Sequence, residues 1–170
     1  RFLAWAHSFN ANSPSDLWRV GDTSDAGTKL GQSPLRSPSV FNFYRPGYVP
    51  PNTSIAAASL SAPEMQMVSE SSVVGYVNFM QGIIDGTRGG NDLQADYSNL
   101  LLLADNPAAL VGEINLLLAA EQLSNASVQT IQNAIASIPM TTTNSERAKY
   151  QRIYAALLLV LASPEFIVLK

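Results

Sequence analysis

The chain has 170 residues, of which 46% are apolar and 14% charged, a balance that gives one compact domain a sizeable core and excludes general disorder. A net charge of −3 offers no broad attraction to nucleic acid. With no cysteine, the chain has no disulfide, no thiolate metal site and no cysteine nucleophile.

The pattern reads as all-α. Phe2, Trp5, Ala6 and Phe9 recur at helical spacing, so a helix is already under way at Arg1 and ends near Asn10–Asn12. Ser13-Pro-Ser-Asp16 has the cap, proline and acid of a helix start, and predicts a short helix carrying Leu17, Trp18 and Val20. Residues 21–33 are loop chemistry, rich in Gly, Asp, Ser and Thr. Ser37-Pro38 predicts one helical turn through Val40, Phe41 and Phe43, stopped by Arg45-Pro-Gly47, and residues 50–62 read as an ordered connector.

The second half is more regular. Ser61-Ala-Pro-Glu64 is a capping box that predicts a helix to Ile84, with Val73, Tyr76, Val77, Met80, Ile83 and Ile84 on its apolar stripe. Residues 85–92 break it, and Tyr97–Leu103 fits either a strand or a short buried helix. Asp105-Asn-Pro107 opens a helix with Leu110, Val111, Ile114, Leu117 and Leu118 inward. Ser124-Asn-Ala-Ser127 separates it from one marked by Val128, Ile131, Ile135 and Ile138, which Pro139 ends. Thr143-Asn-Ser-Glu146 is a second capping box, for a helix to Ala162 that is apolar on every side after Ile153 and therefore central to the core. Ser163-Pro-Glu-Phe166 turns into a short closing segment. The whole is expected to be a single helical domain, residues 1–170, irregular in its first third. The longest wholly apolar run, near Ala155–Ala162, is too short to span a bilayer.

Charge is distributed unevenly. Residues 1–50 hold five bases and three acids, residues 51–146 one base and nine acids, and residues 147–170 four bases and one acid. Basic ends packed beside an acidic middle account for this, as does an acidic face for a cation or basic partner.

Few catalytic constellations fit. His7 is the only histidine, and neither a His-Glu-x-x-His motif nor a Gly-x-Ser-x-Gly elbow is present, so no catalytic residue, metal ligand or cofactor is assigned. Asp22 with Asp25, or Asn91 with Asp92 and Asp96, depart from the spacing of the helix–loop–helix calcium site and read as loop carboxylates. Glu64 and Glu146 belong to caps, and Glu70 and Glu113 to solvated helix faces. Gly86-Thr-Arg-Gly-Gly90 follows a helix and lacks the lysine of a phosphate loop.

The segment Leu35–Pro51 stands apart, with four aromatics, four prolines, two arginines and no acid. Proline forbids regular structure there, while the aromatics forbid a solvated linker. Arg36, Phe41, Phe43, Tyr44, Arg45 and Tyr48 are the candidate binding residues, because arginine stacks on aromatic rings and grips carboxylates in pairs. The same arginines also suit a purely structural tie to backbone carbonyls or an acidic helix.

Leu35-Arg-Ser-Pro-Ser-Val-Phe-Asn-Phe-Tyr-Arg-Pro46, with Ala62-Pro-Glu64 and the closing Ala162-Ser-Pro-Glu-Phe166, resembles the C-terminal portion of a large bacterial family known as domain of unknown function 1800. The resemblance covers the whole chain. It implies a longer parent protein with an N-terminal region, in agreement with a chain that starts within a helix, and an exported, periplasmic or extracellular location. It supplies no catalytic residues. Three functions are compatible: a helical structural or interaction module, whose partner is the upstream part of its own parent chain or another exported protein; a module binding a glycan or an acidic polymer; and part of a hydrolase site shared with the upstream region.

Overall fold

The computed structural model of the protein describes residues 2–140 and 145–167, and apart from two isolated bridge pairs all regular structure among them is helical. The fold is all-α. The chain divides into two compact units, one made of Arg1–Arg19 with Met80–Lys170 and the other of Val20–Phe79.

The first unit is built on three mutually packed helices, α5 (Pro107–Ala119), α6 (Asn125–Ala136) and α7 (Ser145–Ala162), with α1 (Phe2–Ser8), α4 (Ser98–Leu103) and α8 (Pro164–Ile167) around them. The apolar second half of α7 buries Ile153, Ala156, Leu157, Val160 and Leu161. Facing stripes bury Leu110, Val111 and Ile114 on α5 and Ile131 and Ile135 on α6. Leu117, expected to point inward, is 41% exposed because it lies off that stripe. Thr143 and Asn144, half of the expected capping box of α7, lie outside the described residues.

Local chemistry sets the helix ends. Asn106 starts α5 by accepting from the Ala108 and Ala109 amides at 3.1 and 3.2 Å, with Pro107 at the first helical position. The carbonyl of buried Asn115 accepts from the amides of Ala120 and Glu121, both left-handed, and its side chain accepts from the Leu123 amide at 3.3 Å. One asparagine thus shapes the α5–α6 turn. Ser124 then caps α6 through the Ser127 amide, so the supposed spacer 124–127 is the start of the helix.

Arg152 is buried on α7 and donates to carbonyls at the ends of two other helices. Its Nε and Nη2 reach the Ile138 oxygen at 3.2 and 2.9 Å, and Nη1 reaches the Ala104 oxygen at 3.1 Å. A guanidinium there satisfies orphan carbonyls of α4 and α6 and favours the negative ends of both helix dipoles. Buried Tyr97 accepts from Trp5 Nε1 at 3.0 Å and donates to the Ile84 carbonyl at 3.1 Å. The ambiguous segment 97–103 is therefore a helix, α4, preceded by a buried tyrosine.

The segment after α1 runs beside residues 89–96. Asn12 and Gln94 exchange amide–carbonyl bonds at 2.8 and 3.0 Å, and the Asp96 amide donates to Phe9 at 2.8 Å. The helix expected from Ser13-Pro-Ser-Asp16 is absent, because Asp16 and Trp18 have φ of 58° and 44°. Tertiary bonds outcompete the local cap. The Asp92 carboxylate accepts from Ser13 Oγ at 2.8 Å and from the Ser15 and Arg19 amides at 3.2 and 3.3 Å.

The second unit is mostly loop, with α2 (Ser54–Ala57), a 3-10 turn at Pro63–Met67, and the first part of α3 (Glu70–Ile84). The expected helix start at Ser61–Glu64 yields only the 3-10 turn, and Val68 is extended. Ser69 and Ser72 compete successfully as a later cap: Ser69 Oγ accepts from the Ser72 amide at 3.2 Å, and Ser72 Oγ accepts from the Ser69 amide at 2.8 Å. Tyr76, Met80, Ile83 and Ile84 of the expected stripe are buried, joined by Phe79, whereas Val73 is 48% exposed. Gly75 has no room for a side chain, since a Cβ there would lie 2.6 Å from the Gly27 carbonyl carbon. The helix rests on the backbone of residues 26–27.

Candidate functional site

The second unit exposes an unusual amount of apolar surface. Leu35, Val40, Phe41, Val49, Leu60, Met65, Val68, Val73 and Val74 are all exposed, and only Tyr76 and Phe79 are its large buried apolar side chains. Leu35 and Val40, at 104% and 94% exposure, cover nothing within the chain.

The Pro/aromatic segment holds its shape through a succession of turns. The Arg36 amide donates to Ser33, Leu35 is left-handed at φ 61°, and the Asn42 amide donates to Ser39 with Asn42 at φ 68°. This reversal replaces the helical turn expected after Ser37-Pro38, since a left-handed residue at 42 ends any right-handed run. Pro46-Gly47 makes the next turn, closed by the Tyr48 amide on the Arg45 carbonyl at 3.3 Å, and Gly47 takes φ 75° where a side chain is disfavoured. Thr53 then donates to the Pro50 carbonyl at 2.7 Å and caps α2 by accepting from Ala56.

Two bonds tie the segment to the rest of its unit. The Arg45 amide donates to Gln66 Oε1 and the Ala62 amide to the Tyr48 carbonyl, each at 2.8 Å. Phe43, Tyr44 and Tyr48 are half-buried, while Phe41 is 58% exposed. Arg36 and Arg45 are exposed, and Arg36 Nε lies 3.6 Å from Asp22 Oδ2, a solvent-screened pair. Gln32, Ser33, Pro34, Leu35, Asn42 and Phe43 surround a shallow depression of about 330 Å³. The six candidate residues therefore lie on one run of turns, where Phe41 and the arginines reach solvent and Phe43, Tyr44 and Tyr48 anchor it.

The remaining sequence candidates have structural surroundings. His7 is exposed at the end of α1. Asp22 and Asp25 accept from nearby amides in their own loop, Asp22 from Ser24 and Asp25 from Thr28, and both carboxyls are held below the ordinary range mainly by these residues. Asp92 is surrounded by donors rather than by fellow oxygens. Hydrogen bonds from Ser15 and Ser13 hold it at about 2. Gly89, at φ 75°, brings its loop against the Arg19 carbonyl, where a Cβ would lie 2.9 Å away, while Gly86 and Gly90, at φ 75° and 66°, serve the left-handed turns of the loop. Among the described residues no group of three or more His, Cys, Asp or Glu is placed to hold a metal, and no helix is long and apolar enough to cross a membrane.

Sequence reasoning passed over Glu165. Its Oε1 accepts from Ser127 Oγ at 2.7 Å and from the Ser124 amide at 3.3 Å, so the first turn of α8 supplies an anion to the N-terminus of α6. Bonds from Ser127, its own amide and Ser124 hold this carboxyl at about 2. The stretch 124–127 reads as a separator in the sequence, and nothing local there points to a cap with a partner as distant as Glu165.

A family model described as a protein of unknown function, DUF1800, matches residues 5–168. This chain belongs to the DUF1800 family. The match spans both units of the DUF1800 chain, the Pro/aromatic turns included. No curated protein and no solved structure matches it.

Proposed function

We propose that this DUF1800 chain is a helical structural and interaction module of an exported bacterial protein, and that the turns at residues 35–51 form its docking surface. The observation that carries the reading is the outward-facing apolar set Leu35, Val40 and Phe41 on a segment held by its own turns. Clustered exposed apolar side chains on an ordered loop support a protein contact more readily than a solvated role. No acid occurs between Asp25 and Glu64, whereas Lys29, Arg36 and Arg45 fall within that stretch. The partner is thus a protein surface offering an apolar pocket rimmed by carboxylates. The upstream part of its parent chain is the partner to test first, following from the longer relatives that the sequence resemblance implies; the exported location rests on that resemblance alone.

The test is association between the chain and the separately expressed upstream part, read by native mass spectrometry. Phe41→Asp and the double change Arg36→Glu with Arg45→Glu alter exposed side chains, so they are expected to abolish binding while leaving the helical circular dichroism unchanged. Absence of association in the unaltered chain, or association insensitive to both changes, refutes the docking surface. Specific binding of a glycan at Tyr44 and Tyr48 instead favours the carbohydrate reading.

A further inference from the structure

The first unit contains a concave site that plays no part in the docking surface. Asp85, Asn91, Gln94, Tyr97, Tyr150 and Tyr154 line a cavity of about 370 Å³, in the size range of about 300–1,000 Å³ typical of small-molecule sites. Tyr150 and Tyr154 occupy successive turns of α7, with ring centres 5.8 Å apart and planes inclined by 45°. Tyr154 and Tyr97 are 5.9 Å apart and inclined by 66°. The three tyrosines thus meet edge-on or tilted, and none stacks flat on another.

The charge of the lining is one-sided. Among the described residues Asp85 is its one carboxylate, and none of the lining residues is Lys, Arg or His. Asp85 Oδ1 accepts from the Thr87 amide at 3.0 Å and from Thr87 Oγ1 at 2.6 Å, while Oδ2 accepts from none of the described residues. Among the cations nearby in sequence, Lys149 pairs with Asp105 at 2.8 Å and Arg152 binds the Ala104 and Ile138 carbonyls, while Arg88, three residues beyond Asp85, is not among the lining residues. Burial, Tyr150 and the Asp85 carboxylate together raise the Tyr154 hydroxyl above its ordinary pKa, so it stays a neutral phenol.

An anion is repelled by this lining, whereas a cation is attracted by it. A methylated ammonium ion suits both the tyrosines and the carboxylate, because its diffuse positive charge is attracted to tyrosine faces and to a carboxylate. We propose that this cavity binds a small organic ammonium ion, with Tyr150 and Tyr154 providing the faces and Asp85 the counter-charge.

The experiment titrates the whole chain with choline and with choline's uncharged carbon analogue, in which tert-butyl replaces trimethylammonium. Binding is followed by calorimetry and by the NMR shifts of the tyrosine rings. Choline is expected to shift the Tyr150 and Tyr154 ring signals, and the neutral analogue to bind about tenfold more weakly or worse. Asp85→Asn keeps an oxygen for Thr87 and is expected to weaken choline binding by about tenfold. Tyr150→Leu, at a half-buried position, is expected to do the same, and so guards against a folding defect in either variant. Equal affinity for the neutral analogue, unchanged ring signals at millimolar choline, or undiminished binding by a folded Asp85→Asn chain overturns the proposal. So does glucose shifting the same rings more strongly than choline.

Discussion

Replacing Arg152 with methionine removes three hydrogen bonds from one buried guanidinium and leaves two helix-terminal carbonyls without their donor. The carbonyls are not equivalent. Ala104 is wholly buried, so its oxygen loses a charge-assisted bond and gains no water, at a cost of about 2 kcal/mol. Ile138 is half-buried and partly rehydrated, which reduces its share to about 1 kcal/mol. Loss of positive charge at the ends of α4 and α6 adds about 0.5 kcal/mol each, while relief of a buried charge returns part of the total. A net loss of about 3 kcal/mol follows, or a fall of about 6–12 °C in Tm for a chain of this size. Arg152→Lys keeps the charge but lacks the planar fork that reaches both oxygens, so it is expected to recover less than half of the loss. Denaturant midpoints and thermal unfolding of the three proteins decide the matter. An Arg152→Met protein within about 0.5 kcal/mol of the original, or an Arg152→Lys protein equal to it, refutes the argument that this side chain joins two helix ends.

Three further outcomes are expected. Gly75→Ala is expected to destabilise by about 2 kcal/mol or more despite the better helix propensity of alanine, because its Cβ meets backbone atoms, whereas Gly112→Ala on α5 meets nothing within 4 Å and is expected to stabilise by about 0.5–1 kcal/mol in the same denaturation assay. Tyr97→Phe orphans the buried Trp5 indole N–H and the Ile84 carbonyl, and a loss of about 1–3 kcal/mol should appear in chemical denaturation. Asp92 and Glu165 both titrate near 2 in the folded chain, below their unfolded values, so the unfolded state binds more protons in acid. Their stabilisation is complete above about pH 4.5 and is lost as pH falls toward 2, a slope that Asp92→Asn and Glu165→Gln should each flatten in midpoint-versus-pH measurements.

Helical class and most of the core of the second half were legible because periodicity and caps there act locally. Asn106-Pro107, Ile131 with Ile135, and the apolar end of α7 each carry their signal within one or two turns. The first third misled for a physical reason. Ser13 has the side chain of a helix cap, yet a carboxylate 79 residues away binds it more effectively. Ser61–Glu64 has the spacing of a capping box, but the Ser69–Ser72 pair begins the longer helix instead. The docking segment was conspicuous from its composition, whereas the tyrosine cavity was not. Tyr150 and Tyr154 sit at helical spacing, but Asp85 and Tyr97 join them only through tertiary packing.

The pairing of Asn12 with Gln94 and of Ser13 with Asp92 has a kinetic consequence. The unit they close is discontinuous in sequence, so its first helix emerges from synthesis long before the partners that bury Trp5 and Phe9. Those aromatics must stay uncommitted while residues 20–79 are added, and the closing step carries the entropy of a 79-residue excursion. Each halving of that excursion lowers the closure cost by only about 0.6 kcal/mol, so equilibrium stability hardly registers the length of the insert. The rate does, because non-local closure precedes the burial that rewards it. The middle of the chain can thus lengthen, shorten or change its surface among relatives at little thermodynamic expense, with folding speed as the quantity that responds.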